Sequence, residues 1–182
     1  MNRLFLVLSV LLFVACNREN DELPAVVNDD FKIEVTELTT ATIKATITPK
    51  DKDMIYVAQV EAINDTDLDW RVNTIYAEPE RALSNIGVMS YVDYAIDNDI
   101  DILEYITKYN VGGKGEIIID RQVLEPGHKY GIVVIGIETY TDERGRLDVR
   151  TVTPVCYKII ETDIALNKDI SSFNSIAFTN RS

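Results

Sequence analysis

Two cysteines, one histidine and one tryptophan are all that 182 residues hold of those types. With so few cysteines no disulfide framework can carry the fold, so an apolar core has to stand unaided. The lone histidine, His128, leaves neither a zinc ligand set nor a histidine-based triad. Basic residues are scarce as well, 18 Lys and Arg against 30 Asp and Glu, for a formal net charge of −12. A surface of that sign repels phosphate backbones and argues against nucleic acid as a partner. Long hydrophobic runs are also missing. The longest, Leu4 to Ala15, is about 12 residues, too short to cross a bilayer core of roughly 30 Å as a helix.

That run has another reading. Met1, Asn2 and Arg3 give a short positive start, and a brief apolar stretch ending in a small residue is the pattern of a secretory signal. Phe13-Val14-Ala15-Cys16 resembles the lipobox of bacterial lipoproteins, with Phe13 where leucine is usual. The resemblance implies that residues 1–15 are removed, that a diacylglycerol is thioether-linked to Cys16, and that the chain is anchored by lipid at the outer membrane of the cell envelope. Each buried acyl CH₂ adds about 0.8 kcal/mol to such an anchor. A lipidated Cys16 cannot form a disulfide, and Cys156, set between Val155 and Tyr157, then reads as a small hydrophobe in a strand.

From Cys16 to Asp30 the chain is polar and acidic, with Glu19, Asp21, Glu22, Asp29 and Asp30 around Pro24, a composition suited to a flexible tether. An acidic stretch directly after a lipidated cysteine is similar to the surface-export tether of some Gram-negative commensal lipoproteins, so display on the cell surface is one expectation. A domain over residues 31–162 follows. Alternating apolar residues predict strands near 31–38, 41–48 and 54–62. Glu78-Pro79-Glu80 opens a helix that should run to about Ile96, and Asp99 or Asp101 caps a second one ended by Gly112-Gly113-Lys114-Gly115. These helices form an insertion over about residues 67–112. Strands resume at 116–124, at the nearly continuous apolar run 129–139, and at 147–153 and 155–160, where Pro154 interrupts the last edge. Residues 163–182 read as a tail or an added strand, and no internal repeat is visible.

Leu124-Glu125-Pro126-Gly127-His128-Lys129-Tyr130 resembles the Leu-x-Pro-x-Thr-x-Tyr stretch of fibronectin type III domains, with His128 in the threonine position. The resemblance implies a mainly β fold, a fibronectin type III or immunoglobulin-like β-sandwich with a helical insertion between strands C and E. It also implies that Leu124, Pro126 and Tyr130 form a tyrosine corner whose hydroxyl bonds back to the upstream backbone. The tryptophan usual on strand B is replaced by Ile43, Ala45 or Ile47.

Chemical motifs are few. Asp65, Asp67 and Asp69, and again Asp97, Asp99 and Asp101, alternate like a calcium loop, but Trp70 and Ile102 occupy the glycine position and Tyr76 and Lys108 the final glutamate position. Helix caps and a solvated acidic face account for them, so calcium is kept only as a residual alternative and no other cofactor is implied. Gly112 to Gly115 lacks the frame of a P-loop and reads as a flexible connection. No carboxylate pair stands out for hydrolysis. What remains are the aromatics of the insertion. Trp70, Tyr76 and Tyr91 are the candidate ligand contacts, with Tyr94, Tyr105 and Tyr109 nearby, most of the six being expected as core between helix and sheet. The expectation is therefore a non-enzymatic, membrane-anchored lipoprotein that captures a glycan or protein ligand. The alternative is a periplasmic assembly lipoprotein that binds another envelope protein.

Overall fold

The structure is a computed structural model that describes residues 25, 26 and 29–164. Cys16 and residues 165–182 lie outside the described residues. Nine strands are described: β1 (Ala25–Val26), β2 (Phe31–Leu38), β3 (Thr42–Pro49), β4 (Ile55–Ile63), β5 (Gly112–Lys114), β6 (Ile117–Gln122), β7 (Lys129–Thr141), β8 (Leu147–Thr151) and β9 (Cys156–Glu161). All pairings are antiparallel and make two sheets, β2-β3-β6 and β1-β9-β7-β4-β5, with β8 also on β7. The fold is mainly β and sandwich-like.

Alternation in the sequence places the first core. Ile43, Ala45 and Ile47 of β3 and Ile119 of β6 point inward and are fully buried. They meet Tyr56 and Ala58 of β4, Ile132 and Val134 of β7, and Cys156 of β9 across the sandwich. The Cys156 thiol donates to the Phe31 carbonyl oxygen at 3.8 Å. The β2–β3 turn is closed by Thr39, whose Oγ1 accepts from the Ala41 and Thr42 amides at 3.2 and 3.0 Å.

A second core lies on the other face of the larger sheet. Val133, Ile135 and Ile137 of β7, with Val57, Tyr157 and Ile159, pack under a layer of helices. Both faces of β7 are thus covered, which is why its sequence is a continuous β-branched run rather than an alternating one. The helical layer begins with a 3₁₀ turn Asp65–Asp67, a single helical turn α1 (Leu68–Trp70) and a π turn Arg71–Ile75. It continues with α2 (Pro79–Asn85), α3 (Met89–Asp97) and α4 (Ile102–Lys108).

The single helix expected from Pro79 to Ile96 is two, because Gly87 at φ +75° turns the chain between α2 and α3. Asp99 at φ +54° closes α3, and Asp101 starts α4, its carboxylate accepting from the Glu104 amide at 2.8 Å. The glycine run after α4 is not a loose connection: Gly112 and Gly113 pair with Val57 and Tyr56 as strand β5. The tether is not wholly free of structure either, since Ala25 and Val26 pair with Lys158 and Tyr157 along the edge of β9.

Pro154 breaks the last strand as its missing N–H requires. From Ile137 to Val134 β7 advances three residues while its partner advances five, from Thr151 to Cys156, so two extra residues bulge outward. The Gly136 amide left over there is taken by Thr153 Oγ1 at 2.9 Å.

At the turn into β7, the Tyr130 hydroxyl accepts from the Glu125 amide at 2.9 Å, and Tyr130 is 6% exposed. Leu124 packs on the inter-sheet core while Pro126 is exposed. Thr162, just after β9, ties the same turn, donating to the Glu125 carbonyl at 2.6 Å and accepting from the His128 amide at 3.1 Å. Tyr130→Phe leaves the Glu125 amide without its acceptor and should cost about 1–2 kcal/mol in denaturant unfolding. A neutral substitution would mean the hydroxyl bond is not part of what holds the corner.

Candidate functional site

The apolar sides of α3 and α4, Val92 and Ala95 on one and Ile102 and Ile106 on the other, are buried toward the sheet. Helical spacing decides what is left at their seam. Tyr91 and Tyr94 are three apart on α3, and Tyr105 and Tyr109 are four apart at the end of α4, so each pair shares one face. The two faces meet as a continuous group of rings. Tyr105 lies 5.2 Å from Tyr94 with planes 20° apart, 4.7 Å from Tyr109 and 6.5 Å from Tyr91, and Tyr91 is 5.5 Å from Tyr109. The inner rings Tyr91 and Tyr105 rest on the helical core, whereas Tyr94 is 51% and Tyr109 43% exposed. Lys108 Nζ stands 5.5 Å from the centre of the Tyr109 ring. The Tyr105 phenol is pushed up to about 12 by loss of water around it, then by its hydrogen bond with Tyr109 and the neighbouring phenols.

One helical turn beyond Tyr94 and Tyr105 the seam reaches the α3–α4 connection. There Asp97, Asp99 and Asp101 line a cleft of about 560 Å³ together with Ile100, Arg146 and Leu147. Among the described residues none of these three carboxylates has an ion pair, and Arg146 is engaged by Asp142 at 3.2 Å. Among the described residues no group of three or more His, Cys, Asp or Glu side chains is placed to hold a metal ion.

Of the three aromatics singled out from the sequence, Tyr91 belongs to this seam and Trp70, 52% exposed, stands apart on α1. Tyr76 is a correction: it is 4% exposed, packed against Tyr157 with ring centres 4.9 Å apart and planes tilted by 41°, and its hydroxyl donates to Glu61. Its position after the π turn aims it down at the sheet, so it is core rather than a ligand contact. Glu61 also accepts from Arg71 Nη1 at 2.7 Å, so one carboxylate on β4 holds two residues of the helical layer. Burial, and then the bond to Glu61, hold the Tyr76 phenol far above its ordinary range. This latch joins residues ten and fifteen positions apart and had no sequence pattern to announce it. Tyr94, Tyr105 and Tyr109 did have one, their spacing of three and four on consecutive helices.

A second depression of about 730 Å³ runs between the π turn and the Pro154 bulge, lined by Val72, Ala77, Pro79, Val152 and Pro154 over a floor of Tyr76 and Tyr157. It has no charged side chain on its walls. Every carboxyl whose pKa is displaced among the described residues is displaced downward: Glu34, Asp53, Asp65, Glu80 and Asp142, each by a hydrogen-bonding partner. Asp65 of the first aspartate series is held by Lys129 at 2.7 Å. Among the described residues no helix is long and apolar enough to cross a membrane. No family model, curated protein or solved structure matches the chain, and the tyrosine seam has to be read from its own geometry.

Proposed function

We propose that this chain is a non-enzymatic capture lipoprotein, held at the outer membrane by lipid on Cys16 and binding a ligand through the tyrosine seam of its helical layer. The observation that carries the reading is the seam itself. Four phenol rings linked through Tyr105, two of them about half exposed, form an apolar patch with polar rims on an otherwise strongly acidic chain. Rings of this kind supply large rigid contact area at low entropic cost. The scaffold on which they sit is, in this reading, a fibronectin type III-like sandwich. Sheet β2-β3-β6 then answers to strands A, B and E, sheet β5-β4-β7-β9 to C′, C, F and G, and the Tyr130 bond to the Glu125 amide to the tyrosine corner. The helical layer occupies the connection between C and C′ and is the part specific to this chain.

Anchor and capture separate experimentally. Cys16→Ala should move the protein from the detergent phase to the aqueous phase of a detergent partition; unchanged partitioning removes the lipoprotein half. For capture, the full chain in detergent is displayed to arrays of glycans and peptides. Any ligand it binds should be lost at least fivefold on Tyr94→Ala/Tyr109→Ala, while the unfolding midpoint stays within a few degrees because both rings are half exposed. Binding indifferent to that double substitution would sink the seam as the capture site.

A further inference from the structure

We infer that the tyrosine seam takes a basic polypeptide segment, its lysine or arginine side chains laid across the rings and their charged heads turned toward the Asp97–Asp101 connection. The inference rests on the capture reading and adds the ligand's chemistry.

Three features of the seam agree on positive charge. Aromatic faces carry negative potential and attract ammonium and guanidinium groups within about 6 Å of the ring centre. Lys108 Nζ is already 5.5 Å from the centre of Tyr109, so one end of the seam holds a cation from the chain itself. The second feature is the layer's balance of charge: between Asp65 and Lys108 there are ten acidic and three basic side chains. Two of the three basic ones are engaged, Arg71 by Glu61 at 2.7 Å and Arg81 by Glu78 at 3.3 Å. The third feature is position. Asp97 lies one turn beyond Tyr94, and Asp101 one turn before Tyr105, so two carboxylates without an ion pair among the described residues stand at the end of the rings.

Ring orientation argues against a neutral saccharide. A run of pyranose faces needs rings that share a plane, and only Tyr94 and Tyr105 come near it, at 20°. The remaining contacts are tilted by 48° to 51°, which offers several faces around a cation instead of one flat shelf. An anionic ligand is repelled outright. Length fits a short peptide: Tyr91 to Asp97 covers about 9 Å at 1.5 Å per residue, or about three residues of extended chain. Two basic side chains in such a stretch suffice, one over the rings and one at the aspartates.

The test uses the full lipidated chain in detergent at physiological salt, titrated by calorimetry with hexa-arginine, with hexalysine and with cellohexaose. Hexa-arginine should bind more tightly than hexalysine, since guanidinium stacks on phenol rings better than ammonium. Tyr94→Leu/Tyr109→Leu keeps apolar bulk but removes the ring faces, and should weaken hexa-arginine about tenfold. Asp97→Asn/Asp101→Asn should weaken it to a similar extent; asparagine still caps α4. Glu116→Gln/Asp120→Asn, the same charge change placed before and on β6, should leave it within twofold. Equal losses at the seam and at β6, or no loss on removing the rings, would show diffuse attraction to an acidic protein and overturn the inference. Cellohexaose binding that depends on Tyr94 and Tyr109, with none of hexa-arginine, would overturn it and leave capture standing. Failure of all three probes to respond to the rings would take down both.

Discussion

Glu61→Ala should destabilise the domain by about 3 kcal/mol, the size expected when one partner of a largely buried ion pair is removed and a second hydrogen bond goes with it. Its carboxylate sits at 12% exposure beneath Arg71 at 24%, and it also receives the Tyr76 hydroxyl. Removing it strands a guanidinium whose Nε is already buried without a partner among the described residues, and leaves a phenol hydroxyl facing the sheet with no acceptor. The loss therefore comes chiefly from what remains unpaired. Two results distinguish this from simple loss of packing. Adding Arg71→Leu to Glu61→Ala should recover about 1 kcal/mol or more, because the orphaned charge leaves with it. Limited proteolysis of Glu61→Ala should open first within residues 64–77, the stretch the latch holds to β4. A double variant no more stable than Glu61→Ala alone would show that the latch is not what fixes the helical layer.

How much of this was legible beforehand depends on the range of the interactions. Strands announced themselves because a half-buried sheet writes its period into adjacent residues, as in Ile43, Ala45 and Ile47, all fully buried. The continuous apolar run of β7 fits a strand covered on both faces, and the helical layer supplies the second cover. The bond between the Tyr130 hydroxyl and the Glu125 amide joins residues five apart, within reach of a local pattern, whereas Thr162 ties the same turn from 37 residues away. What failed was local geometry at glycines and pairing at a distance. Gly87 breaks a pattern that periodicity alone would have carried through, and Gly112 and Gly113 look like a hinge but form a strand because their bare backbones can lie between β4 and α4. Tyr76 follows a π turn for which the sequence carries no pattern, and the fold buries it against Tyr157. Of the seam, Tyr91 was picked out, and its three partners were seen as aromatics without their contact, since that needs α3 and α4 to fold back on each other at Asp99.

The same glycines give the second large effect. Gly112→Ala should cost about 3 kcal/mol or more, beyond the usual penalty for a single added methyl, because the new carbon meets backbone and not only side chain. Its Cβ would stand 2.4 Å from the Tyr56 carbonyl oxygen, 3.1 Å from the Val57 Cα and 2.9 Å from Ile106 Cδ1. Rotating Ile106 relieves one of these; the other two belong to β4, whose opposite edge is fixed along β7 from Ile55 to Ile63. Strand β5 must then move off. With it goes the end of α4, tied to β4 by the bond from the Ala58 amide to the Val111 carbonyl at 2.9 Å. Gly113→Ala is the internal control. Its Cβ would press on Ile117 Cγ2 at 2.8 Å, a branch methyl of a partly exposed side chain, and meets no backbone atom; a χ1 rotation of Ile117 relieves it, so the expected cost is about 1 kcal/mol. Denaturant unfolding of the two variants should therefore differ by about 2 kcal/mol, and Gly112→Ala should also loosen the tyrosine seam, visible as earlier ionisation of Tyr105 in an ultraviolet pH titration. Equal costs for the two glycines would mean that β5 does not lie against β4 as closely as this contact requires.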